Sequence, residues 1–171
     1  MLFDLIATLS AGFLLAGLAL GLKFLLRGRT PAWIVPAAAG LGMLSYSIWS
    51  EYSWFDRASA TLPDGVEVAS SNEVQAWYRP WTYIVPQVDR FIAVDHRMSR
   101  RNEEHPGQIL TGVLLMGRWE PTRQFGVVYD CPGARRADLV DGVVFDEAGG
   151  LEGARWIQLE PDDAVLQAAC R

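Results

Sequence analysis

The stretch that decides the architecture is 2-LFDLIATLSAGFLLAGLALGLKFLL-26, nearly all Leu, Ala, Gly, Phe and Ile. About 20 such residues cross a bilayer core as a helix. Lys23 lies near its end, where its stem can reach the headgroups. Arg27, Gly28, Arg29, Thr30 and Pro31 follow as a basic turn, and residues 32–49 form a second apolar run. Pro31 fits the first turn of a new helix, and Pro36 is expected to bend the second span. The pattern predicts a two-helix transmembrane hairpin over residues 1–60, with residues 51–60 as its juxtamembrane helical extension.

A cleaved secretory signal places its cations before the apolar run. Here they follow it, so an uncleaved anchor is expected. The cluster Lys23, Arg27 and Arg29 predicts a cytoplasmic hairpin turn. Both termini then face the periplasm across a bacterial inner membrane. Tyr46, Trp49, Tyr52 and Trp54 would sit at the exit interface, and Trp33 at the cytoplasmic one. Gly17 with Gly21, and Ala38 with Gly42, have helix-packing spacing. They suit packing within the hairpin, or docking of another membrane subunit.

Charge divides the chain. It holds 15 Lys and Arg against 20 Asp and Glu; three of those cations and one acid lie in the first fifty residues, leaving 12 against 19, a net of −7. So acidic a region excludes a nucleic-acid binder, which needs cations to displace phosphate counterions. The expected partners are the lipid bilayer and other membrane subunits or a second copy of this chain.

Residues 61–171 read as a soluble, strand-rich domain. Leu62, Pro63, Asp64 and Gly65 mark a turn. Candidate strands are 66–68, 90–95, 108–119, 124–131, 139–145 and 155–159. Phe125, Val127, Tyr129 and Cys131 share one face by strict alternation. Gly, Pro and acidic segments separate the strands, as in an antiparallel meander. Residues 162–170 predict a short helix, with Asp162 or Asp163 at its start. The fold class is therefore α+β, a membrane hairpin followed by a small antiparallel sheet with a C-terminal helix. Cys131 and Cys170 would form a disulfide in an oxidising compartment. Free buried thiols are the alternative.

The run Val127-Val128-Tyr129-Asp130-Cys131, then Arg135-Arg136, Gly149-Gly150, Trp156, Pro161 and Cys170, resembles the surface-adhesin E-like domains of proteobacteria. The resemblance covers about the last 80 residues. It implies a small antiparallel sheet with helices and a Cys131–Cys170 bridge. Adhesive members are typically outer-membrane lipoproteins, and no lipidation cysteine stands near the start of this sequence.

Chemistry is sparse. His96 and His105 lie in a polar stretch that reads as a solvated loop. No phosphate loop, serine elbow or paired-histidine motif is present. The sequence predicts no enzyme, no metal site and no cofactor. The unusual segment is Trp77-Tyr78-Arg79-Pro80-Trp81-Thr82-Tyr83. Its aromatics can anchor a small core, or meet a partner through Trp77, Tyr78, Arg79, Trp81 and Tyr83. Arg118-Trp119 and Arg155-Trp156 suggest cation–π pairs. The expected function is a structural or interaction role as an accessory subunit or scaffold of a membrane assembly. A peptide or small-ligand sensor using residues 77–83, or an adhesin-like binding module, is the alternative.

Overall fold

The computed structural model describes residues 2–27, 31–139, 143–145 and 151–171. The chain divides into two compact units, Met1–Arg57 and Ala58–Arg171.

The first unit is built on α1 (Leu2–Leu25) and α2 (Ile34–Ala60). They run antiparallel, with the Ser50 hydroxyl donating to an Asp4 carboxylate oxygen at 3.5 Å. The closest approach is at Gly42, where an added Cβ would lie 2.5 Å from the Ala11 carbonyl oxygen. Gly12 makes the reciprocal contact, beside Met43 and Ala39. Gly12 and Ala19 are the buried positions of α1, one heptad apart. Gly17 and Gly21 point elsewhere, with no atom within 4 Å of an added Cβ. At roughly 100° per residue they lie about 140° and 180° around the helix from Gly12. Ala38 is half-buried.

The expected transmembrane hairpin needs correction. Among the described residues, α1 is the one helix long and apolar enough to cross a bilayer. Most of its large apolar side chains are exposed, unlike those of a soluble core helix. In α2 the apolar run is thinned by Gly40, Gly42, Ser45, Tyr46 and Ser47, then gives way to Ser50, Glu51, Asp56 and Arg57. Such residues contribute little to transfer into hydrocarbon, and the charged ones oppose it. Pro36 does not sit mid-helix, because α2 begins at Ile34. It falls in the first turn, where a missing N–H costs nothing.

The second unit is a sheet of six antiparallel strands with a short helix. Its strands are β1 (Val66–Val74), β2 (Gln87–Arg101), β3 (Gln108–Gly117), β4 (Arg123–Asp130) and β5 (Arg135–Asp138). Then come β6 (Val144–Phe145), β7 (Leu151–Glu152), β8 (Trp156–Gln158) and α3 (Ala164–Ala169). The sheet order is β1-β2-β3-β4-β5-β8, with β6 and β7 forming a separate pair. Of the expected strand 139–145, residues 140–142 lie outside the described residues. So do Gly149 and Gly150.

One face carries the core. Val94, Val113, Val127 and Tyr129 pack with Val165, Leu166, Ala168 and Ala169 of α3. Asp163 caps α3, its carboxylate accepting from the Val165 and Leu166 amides at 3.0 and 2.9 Å. Cys131 and Cys170 are joined by a disulfide, with Cα atoms 5.9 Å apart. The bridge ties the end of α3 to the β4–β5 turn. In that turn Asp130 accepts from Arg135 Nε at 2.7 Å.

β2 carries a large bulge: it advances from Asp95 to Arg100 while its partner moves only from Gly112 to Leu110. His96, expected in a loop, therefore sits on a strand, 3.5 Å from a Glu67 carboxylate oxygen.

Candidate functional site

The aromatic segment is the β1–β2 connection. Its backbone closes on itself: the Arg79 amide donates to the Ala76 carbonyl at 2.9 Å and the Thr82 amide to the Arg79 carbonyl at 2.9 Å. Residues Pro80–Tyr83 form one 3₁₀ turn, with proline in its first turn. Thr82 is the internal staple, only 1% exposed. Its hydroxyl accepts from the Ala76 amide at 2.9 Å and donates to the Arg79 carbonyl at 2.7 Å. Arg79 Nη1 donates to the Gln87 side chain at 3.0 Å.

With Thr82 turned inward, the large side chains turn outward. Trp77 is 83% exposed and Ile84 85%, and Tyr78, Tyr83 and Val85 are each more than half exposed. Trp81 and Arg79 are half-buried. Trp77 and Tyr78 meet edge to face at 5.9 Å, and the Arg79 guanidinium lies 5.6 Å from the Tyr78 ring centre. Thus the buried anchor of the segment is a threonine, and most of its aromatics are at the surface. Exposed apolar side chains are thus grouped along this one connection. Residues 74–88 contain no Asp or Glu, within a region whose net charge is −7. Sequence reading singled out residues 77–83. It missed Ile84 and Val85, which lie just beyond the run of Trp, Tyr and Arg that drew attention.

The other singled-out groups have structural surroundings. Arg118 stacks on Trp119 at 4.7 Å. Trp156 is stacked by Arg135 of the neighbouring strand, also at 4.7 Å, rather than by Arg155. Among the described residues, no group of three or more His, Cys, Asp or Glu side chains is placed to hold a metal ion.

Two side chains in the sheet have displaced proton affinities. Asp95 is 1% exposed, and Arg97 binds both its oxygens, Nε at 2.9 Å and Nη2 at 2.7 Å. That hydrogen-bonded guanidinium holds the Asp95 carboxyl below its ordinary range. Tyr129 is fully buried, and burial pushes its phenol up to about 12.

No known protein family, no curated protein and no solved structure matches this chain, so the resemblance to surface-adhesin E-like domains rests on the residues that carry it.

Proposed function

We propose that this protein is a membrane-anchored interaction or structural protein, an accessory subunit or scaffold of a larger inner-membrane assembly. In this reading α1 lies in the bilayer and the sheet domain works on the oxidising side. The surface formed by Trp77, Tyr78, Tyr83, Ile84 and Val85 is its contact with a partner. The observation that carries the reading is that these side chains are exposed on a loop whose backbone is already pinned from within by Thr82. A loop whose backbone is ordered before binding presents its aromatics at a smaller entropy cost.

The side of the membrane rests on the disulfide. With α1 as the one described helix apolar enough to span, the cations Lys23, Arg27 and Arg29 would by themselves draw the following chain to the cytoplasm. Disulfides are rare there and persist in oxidising compartments. A fold-closing bridge is the stronger constraint, and we give it priority. An alkaline phosphatase fusion after Gly65 is expected to be active; an inactive fusion would reverse the assignment.

The contact surface is tested by photo-crosslinking in living cells. A crosslinking residue at Tyr83 or Ile84 is expected to give discrete adducts with a membrane protein or with a second copy of the chain. The same residue at exposed Glu160 is expected to give none. Silence at both patch positions would remove the basis for the proposal.

A small-ligand sensor built on the aromatic segment requires a concave site near Trp77 and Trp81. The cavity on the sheet is lined instead by residues of β2, β3 and β4 and by Leu139.

A further inference from the structure

The cavity has a volume of about 390 Å³. It lies on the face of the sheet opposite α3. Its floor exists because two glycines face each other across the ladder, Gly112 of β3 and Gly126 of β4. The flanking pairs on that face, Leu110 with Val128 and Leu114 with Gln124, carry side chains. Side chains at these positions would occupy the floor. A Cβ on Gly112 would fall 3.3 Å from Met98 Sδ, and one on Gly126 would fall 3.0 Å from Leu139 Cδ1.

The walls are of two kinds. Met98, Leu110 and Leu139 supply apolar surface, and Arg97 and Arg100 supply cations. The β2 bulge brings both arginines to the same cavity, although β3 advances only two positions beneath them. Arg97 is held in place: buried Asp95 accepts from its Nε, from Nη2 and from its backbone amide at 3.0 Å. A guanidinium has five N–H donors. Asp95 engages Nε and one hydrogen of Nη2, which leaves Nη1 and the other Nη2 hydrogen for a ligand. Arg100 forms no ion pair with any described residue. Burying a carboxylate is costly unless it is paired. Here the pairing also fixes the orientation of the cation at the rim.

We infer that this cavity is a binding site for a small organic acid, a carboxylate head held by Arg97 and Arg100 with a short unbranched apolar body over Gly112 and Gly126. The volume is at the lower end of ligand cavities, which suits a monocarboxylate of a few carbons rather than a lipid. Paired guanidiniums recognise carboxylates by charge-assisted, often bidentate, hydrogen bonds. The inference does not depend on the partner contact proposed above.

The test uses the full chain in zwitterionic nanodiscs with ¹³C-methyl methionine. The four methionines give four resonances, and Met98 forms a cavity wall while Met43 packs beside Gly12 in the helical unit. Hexanoate is expected to shift the Met98 resonance saturably and leave Met43 unmoved. Neutral hexanamide is expected to bind at least about tenfold more weakly, because it lacks the charge that the arginines recognise. Arg100→Gln is expected to weaken hexanoate by a similar factor while the spectrum of the apo protein is kept. Gly112→Val is expected to abolish the shift by filling the floor. No saturable Met98 shift would overturn the inference. So would equal binding of hexanamide, which would mark an apolar hole only. Inorganic phosphate matching hexanoate would also overturn it, because the apolar floor would then play no part.

Discussion

The glycines of the two helices should respond very differently to the same substitution. Replacing Gly42 with alanine puts a methyl group 2.5 Å from the Ala11 carbonyl oxygen and 3.0 Å from its carbon. Both atoms are backbone, so no rotamer change relieves the contact and the helices must separate. Overpacking of this kind costs about 1–3 kcal/mol. Alanine returns up to about 1 kcal/mol of helix propensity relative to glycine. The net expectation for Gly42→Ala is a loss of about 1–2 kcal/mol. Gly12→Ala meets Met43 Cε and Cγ at 2.6 and 2.9 Å, which are atoms of a flexible side chain, so its loss should be smaller. Gly17→Ala and Gly21→Ala meet nothing and should be neutral or stabilising by up to about 1 kcal/mol. The assay is SDS-driven unfolding in mixed micelles, followed by energy transfer between labels at Leu2 and Tyr52. The expected order of stability is Gly17→Ala and Gly21→Ala, then wild type, then Gly12→Ala, then Gly42→Ala. If Gly42→Ala unfolds at the same SDS fraction as Gly17→Ala, the packing argument is wrong.

Three further outcomes are expected. Replacing both cysteines by alanine opens a loop of sequence separation 39. It should lower the stability of the sheet domain by about 4 kcal/mol on chain-entropy grounds. Urea unfolding would measure this, and limited proteolysis should then cut first near α3. Tyr129 keeps its proton in the fold up to about pH 12, whereas an unfolded tyrosine loses it near pH 10. Stability from this group is therefore complete below pH 10 and falls by about 3 kcal/mol as pH rises to 12. Tyr129→Phe should abolish that part of the alkaline loss, and an unchanged profile would contradict the burial argument. Thr82→Val leaves the Ala76 amide without its hydroxyl acceptor and should destabilise the loop locally by about 1–3 kcal/mol. Amide exchange at Ala76 should speed up by at least about tenfold, and crosslinking from Ile84 should weaken.

The meander and α3 were legible because their signals are local. Alternation in residues 124–131 places Val127 and Tyr129 inward, and Asp163 stands one residue before an apolar helical run. The Cys131–Cys170 bridge was legible from having two cysteines in a chain read as exported. β1 was readable only over its first three residues, because Ser70, Ser71 and Asn72 carry no apolar period. That edge strand is held by its ladder to β2, with two register shifts. β5 has four residues, two of them arginines, and owes its conformation to pairing with β4. The span of α2 was overread because Gly40, Gly42, Ser45, Tyr46 and Ser47 thin its apolar run before Ser50 and Glu51 end it, which leaves α1 as the described helix apolar enough to cross. The aromatic segment was visible by composition. Its outward orientation was not, since that depends on one buried hydroxyl. The sheet cavity was invisible to sequence reading. Gly112 and Gly126 are fourteen positions apart, and only the β3–β4 register sets them opposite each other.

The pairing of β5 with β8 has a consequence for how this domain can be rebuilt. Ala137 stands directly across from Trp156, so the chain leaves the ladder after β5 and re-enters it at the same place. Among the described residues between these strands, β6 and β7 pair with each other and not with the six-stranded sheet. Doubling the length of a closed loop costs only about 0.6 kcal/mol. An affinity tag or a whole reporter domain can therefore be grafted there while Leu139 and the six-stranded order stay in place.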